Sequence, residues 1–104
     1  AHNHDSENVL SELKDFQDAI NYAIEFTKED DETLILVTAD HETGGMSITG
    51  GLNPDGSDMV MSYATKGHSG EMVGVFAKGP GSHHFRGIYQ NSEIGKKLIN
   101  LIRD

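Results

Sequence analysis

The sequence contains no cysteine and no tryptophan, only two prolines, and few basic residues. Without cysteine there is no disulfide framework and no thiolate metal site. No apolar run approaches the roughly 20 residues that a membrane-spanning helix needs, so no membrane partner is expected. Lys and Arg number 8 against 17 Asp and Glu, for a formal net charge of −9. Such a balance argues against nucleic acid as a partner, because phosphate backbones are bound by basic patches. It also disfavours a phosphate substrate, unless bound cations supply the positive charge. Six histidines in 104 residues keep that option open. The length suits one small domain with a modest core. The opening, Ala-His-Asn-His-Asp, reads as sequence from the middle of a protein, so the chain is expected to be a piece of something longer.

The periodicity divides the chain clearly. Val9, Leu13, Phe16, Ile20 and Ala23 or Ile24 recur at three- and four-residue steps and predict a helix over Ser6–Glu29. Asp15 is placed to cap a second segment if the helix breaks near Lys14. Glu29-Asp30-Asp31-Glu32 reads as an exposed turn. Thr33–Ala39 is a continuous apolar, β-branched run, the pattern of a strand buried on both faces as in a parallel sheet. Met46–Thr49 and Met59–Ala64 are short strand candidates separated by Gly50-Gly51 and Asn-Pro-Asp-Gly-Ser-Asp at Asn53–Asp58, a hairpin pattern. Lys66–Glu71 is a loop. Val73–Ala77 is a further strand, ended by Gly79-Pro80-Gly81. Ile94, Leu98, Leu101 and Ile102 share a face of a last helix, Ser92–Ile102, capped by Asn91 or Ser92.

The buried run ends abruptly in Asp40 and His41. Ligands of open α/β sheets bind beyond the carboxyl ends of strands, and a carboxylate beside an imidazole is a good donor pair for zinc. Equally, Asp40 could cap a turn and His41 lie on the surface; this stretch alone leaves both readings open. His68 sits between glycines, and His2 and His4 flank Asn3. His83 and His84 read as an exposed turn. Ser69 and Thr43 each lie near a histidine, but neither sits in a nucleophile elbow. Nitrogen and oxygen donors without sulfur suit a catalytic zinc better than a structural one.

Thr-Ala-Asp-His-Glu-Thr-Gly-Gly at Thr38–Gly45 resembles a motif of the alkaline phosphatase family. His-Ser-Gly-Glu-Met-Val-Gly-Val-Phe-Ala-Lys-Gly-Pro at His68–Pro80 is similar to that family's second histidine loop and the strand after it. The opening resembles the end of its Asp-x-x-x-His zinc motif, Lys14–Phe26 is similar to its helix before the Thr-Ala-Asp-His strand, and Phe85–Leu98 is similar to its last loop and terminal helix. The resemblance covers essentially the whole chain. It implies an α/β fold: a partial alkaline-phosphatase-like sandwich ordered helix, strand, β-hairpin, strand, helix, lacking the N-terminal part of the sheet. Residues 1–104 would be a single C-terminal fragment of such a domain.

The resemblance also implies the chemistry. His2 and His68 match ligands of a first zinc, and Asp40 and His41 match ligands of a second. Two cations about 4 Å apart can hold the attacking and leaving oxygens of a phosphoryl displacement. In the family a serine attacks a phosphate monoester. That serine, the carboxylate of the first zinc motif, the magnesium ligands and any phosphate-clamping arginine would lie upstream, and Arg86 and Arg103 do not match the clamp. The implied parent is thus a phosphoric monoester hydrolase with two zinc ions and magnesium, periplasmic or secreted and homo-oligomeric, whereas the fragment alone is expected to be inactive. A phosphodiesterase, sulfatase or phosphomutase of the same superfamily, or a stand-alone non-catalytic metal-binding module, are the alternatives. An open edge on the Leu34–Ala39 strand predicts self-association.

Overall fold

The computed structural model describes residues 5–51 and 53–103; the expectations for His2 and His4 lie outside them. The chain forms two compact units. One comprises residues 1–16 and 41–72, the other 17–40 and 73–104. Helix α1, Ser6–Phe26, contributes to both. It starts where Asp5 caps it: the Asp5 carboxylate accepts from the Asn8 main-chain amide at 3.2 Å, and its carbonyl accepts from the Val9 amide at 2.9 Å. These are the bonds that a helix N-terminus otherwise lacks. The helix runs unbroken through Lys14 and Asp15 and stops three residues earlier than the periodicity predicts. At its end the Thr27 hydroxyl donates to the Ile24 carbonyl at 2.8 Å. The acidic turn is then organised by Asp30, whose carboxylate accepts from the Glu32 amide and the Thr33 hydroxyl.

In the first unit, strands β3 (Ser47–Gly50) and β4 (Val60–Ser62) form the predicted hairpin, with an irregularity between Ile48 and Gly50. Thr49 and Ser62 join their hydroxyls across it at 2.7 Å. The start of α1 is tied to the chain after β4 by the Ser6 and Tyr63 hydroxyls, 3.2 Å apart. Among the described residues of this unit, Val9 is the buried hydrophobic one.

In the second unit, β1 (Ile35–Val37) pairs antiparallel with β6 (Phe76–Lys78), Leu36 opposite Ala77. This corrects the expectation of a doubly buried parallel strand. Each residue of β1 is only half-buried, because its sheet has two strands and neither face is fully covered. An uninterrupted apolar run reports how much burial a strand seeks, not the direction of its neighbour. After Gly79-Pro80-Gly81 a short 3₁₀ helix, Ser82–Phe85, buries Phe85, and the Tyr89 hydroxyl donates to the Phe85 carbonyl at 2.9 Å. His83 and His84 lie exposed in that 3₁₀ turn. Helix α2 occupies Ser92–Ile102, as the pattern predicts. The ordering helix, strand, hairpin, strand, helix and the α/β class hold, with open sheets.

Candidate metal centre

The loop expected at Lys66–Glu71 contains a strand. Residues His68–Ser69 form β5, which pairs antiparallel with β2, Glu42–Thr43; Glu42 faces Ser69 and Thr43 faces His68. Side chains alternate between faces along a strand, and directly opposed residues share a face. His41, two residues from Thr43, therefore lies on the same face as Thr43 and His68, while Glu42 and Ser69 share the other. Both consequences are present. On one face the imidazoles of His41 and His68 stack, with ring centroids 3.4 Å apart and planes inclined by 22°. On the other, the Ser69 hydroxyl donates to the Glu42 carboxylate. His41 would face Gly70 if the pairing continued, a position with no side chain to crowd its ring.

His41 Nδ1 lies 3.0 Å from the Glu42 carbonyl and 3.3 Å from the Thr43 hydroxyl. A carbonyl only accepts, so Nδ1 carries the proton and the ring's lone pair is on Nε2. A hydrogen bond to the backbone from one ring nitrogen is the usual way a metal-binding histidine is oriented.

Glu42 joins three pieces of chain. Besides the Ser69 hydroxyl it accepts from the Gly45 amide at 2.8 Å and the Met46 amide at 3.2 Å. Ser69 Oγ in turn accepts from the Glu71 amide at 3.2 Å. The Ser69 bond is the largest influence and holds the Glu42 carboxyl below its ordinary value; desolvation, the next largest, opposes it, and the Gly45, Met46 and Thr43 main-chain amides add to the lowering. The intervening turn needs glycine: Gly45 has φ +60°, and a Cβ there would lie 3.0 Å from the Ala64 side chain. The Gly44 amide donates to the Gly67 carbonyl at 2.8 Å, and the Gly44 carbonyl accepts from Ala64 at 2.7 Å.

Of the residues singled out in the sequence, His41 and His68 are thus brought together from segments 27 residues apart, the same separation as Glu42 and Ser69. Asp40 precedes His41 directly, is exposed, and accepts the Asn91 side-chain amide on its carbonyl. Among the described residues, no group of three or more His, Asp or Glu is arranged to hold a metal ion. Ser69 and Thr43, weighed above as nucleophiles, instead use their hydroxyls on Glu42 and His41. Sequence reasoning missed Glu42. The signal was the matched spacing His-Glu-Thr and His-Ser, which only a known register turns into contacts.

The profile of the alkaline phosphatase family matches residues 1–64. Alkaline phosphatase 4 of Bacillus subtilis is 26% identical over 171 residues, covering 99% of this chain and 37% of that protein. That stretch is longer than the chain, so the relative carries intervening residues that are absent here. Alkaline phosphatase of Escherichia coli is 31% identical over 100 residues, covering 82% of this chain and 21% of its own length. Among solved structures, the alkaline phosphatase of the Antarctic bacterium TAB5 superposes on 98% of this chain with a TM-score of 0.86 and 40% identity, and 31% of that chain is covered. This chain spans between about a fifth and somewhat over a third of the length of these relatives. The motif around Asp40 and His41, the paired histidines and these likenesses agree: the chain belongs to the alkaline phosphatase family.

Proposed function

We propose that the chain supplies one part of the two-zinc centre of a phosphoric monoester hydrolase, His2 and His68 serving the first zinc and Asp40 and His41 the second. The observation that carries this is the stacked His41–His68 pair at one face of the β2–β5 ladder. The pair's donor chemistry fits zinc: His41 presents Nε2 as the lone-pair nitrogen, with Nδ1 tied to backbone. Its geometry supports division between two ions. The lone pair of an imidazole lies in the ring plane. With ring centroids 3.4 Å apart and planes inclined by only 22°, the two in-plane lone pairs run in nearly parallel planes and do not converge on one zinc.

When bound, such cations neutralise charge on a phosphoryl group and hold its attacking and leaving oxygens. The chain's own contribution is orientation. Glu42 and Thr43 fix the His41 tautomer, and the β2–β5 pairing fixes where His68 meets it. The serine nucleophile, the remaining zinc ligand and the magnesium site implied by the family belong to further sequence of the parent enzyme, with residues 1–104 as a C-terminal part of its domain. A periplasmic or secreted location and a homo-oligomeric state complete the proposal. The open edges of the two-stranded β1–β6 sheet support association.

Calorimetric titration of the chain with Zn²⁺, alongside His41→Ala and His68→Ala, tests the reading. Each substitution is expected to remove binding or weaken it at least about tenfold; unchanged affinity in both would sink it. Assays of the parent enzyme on chromogenic phosphate monoesters and diesters separate the proposed activity from a diesterase. Turnover by the 104-residue chain alone would overturn the assignment of the nucleophile to a separate segment.

A further inference from the structure

We propose that Glu42, acting through Ser69, is a positioning residue that fixes the His68 imidazole against His41. The inference rests on the metal-centre reading for its purpose, but not for its structural content. The β2–β5 ladder consists of two residue pairs, continued by the bond from the Gly44 amide to the Gly67 carbonyl, a short pairing that leaves side-chain direction to further contacts. The side-chain restraint across it is the Glu42 carboxylate, on the face opposite the histidines.

One Glu42 oxygen accepts both the Gly45 amide and the Ser69 hydroxyl, and the other accepts the Met46 amide. The same carboxylate therefore closes the turn after His41 and grips the residue after His68. Ser69 Oγ cannot swing away freely, because it also accepts the Glu71 amide. A side chain that holds residue 69 fixes the backbone at residue 68, and with it the direction in which the His68 ring leaves the strand. An ionised carboxylate suits this role, since it offers only acceptors to a set of partners that are all donors. Glutamine at this position would turn an N–H toward one of them.

Ser69→Ala removes the cross-strand bond while leaving the bonds to Gly45 and Met46; Ser69→Thr restores the hydroxyl. The readouts are the imidazole proton signals of His41 and His68 in the metal-free chain, sensitive to ring stacking, and Zn²⁺ affinity by calorimetry. Ser69→Ala is expected to shift both sets of ring signals and weaken Zn²⁺ binding about 10- to 100-fold. Glu42→Gln should do the same, and Ser69→Thr should retain the native values. Ring signals or affinity unchanged in Ser69→Ala overturn the proposal. So does a Ser69→Thr chain that behaves like Ser69→Ala. Loss of the helical far-ultraviolet signal in Ser69→Ala counts against it too, since the bond would then hold the fold rather than the rings. If Zn²⁺ does not perturb the native ring signals at all, the metal-centre reading fails, while the metal-free spectra of the variants still decide the positioning role.

Discussion

Asn91 donates its side-chain amide to the main-chain carbonyl of Asp40, 51 positions earlier in the chain. The asparagine stands where a helix cap is expected, yet its own backbone is already helical and its side chain makes no capping bond. The first turn of α2 closes without it, through the Glu93 amide on Gln90 and the Ile94 amide on Asn91. What the amide does instead is hold the end of the β1 segment, immediately before His41. Asn91→Ala is expected to cost about 1 kcal/mol, lowering Tm by about 4–8 °C for a chain of this size. Asn91→Ser, a good cap that cannot reach as far, should not restore it. Thermal melts of the three proteins followed by circular dichroism check this, and full recovery with serine would assign Asn91 a capping role.

Gly79 ends β6 with φ +111°, and a Cβ there would lie 2.3 Å from the Thr33 carbonyl oxygen and 3.1 Å from Leu34 Cα. Both obstacles are backbone, so neither can rotate aside. Gly79→Ala should therefore cost about 2 kcal/mol or more, combining the left-handed penalty with displacement of the β1–β6 pairing. A urea midpoint equal to that of the native chain would show that the turn is free to relax.

Gly95 is the opposite case. It lies inside α2, and a Cβ built on it meets nothing within 4 Å. Gly95→Ala should stabilise the chain by about 0.5–1 kcal/mol, because alanine has less backbone freedom to lose on folding. The same urea experiment reads the sign: a midpoint that rises supports an open site, and one that falls means another surface occupies it.

Asp55, at the hairpin tip, accepts the Ser57 amide at 2.9 Å. That bond, followed by one from the Ser57 hydroxyl, holds its carboxyl below the ordinary value. A depressed folded value means that the ionised form is the one the turn favours. The contribution is complete above about pH 4 and is lost as the pH falls through the lowered folded value. The Ser57 amide resonance should shift with an inflection below that of a free aspartate, and Asp55→Asn should abolish it. An inflection at the ordinary value would show that the bond is not maintained in solution.

Much of this chain is decided locally, and the local part was legible. The helices at Ser6 and Ser92, the hairpin around Asn53–Asp58 and the end of the apolar run at Asp40 follow from side-chain spacing, glycine-rich turns and short-range hydrogen bonds. The likeness to the alkaline phosphatases is equally a property of residue order, and it singled out both His41 and His68, each for a different zinc. Three things depended on contacts between distant segments. The first is the antiparallel pairing of Leu36 with Ala77, since an apolar run fixes its burial and not its neighbour's direction. The second is the limited use of the α1 stripe, where Val9 is buried while Leu13 and Phe16 remain exposed; a helix face is covered only where another element meets it. The third is the β2–β5 register, which sets His41 on His68 and Glu42 on Ser69. A shift of one residue would put the members of each pair on opposite faces, so residue order sets which groups are available, and the pairing of distant strands sets which of them touch.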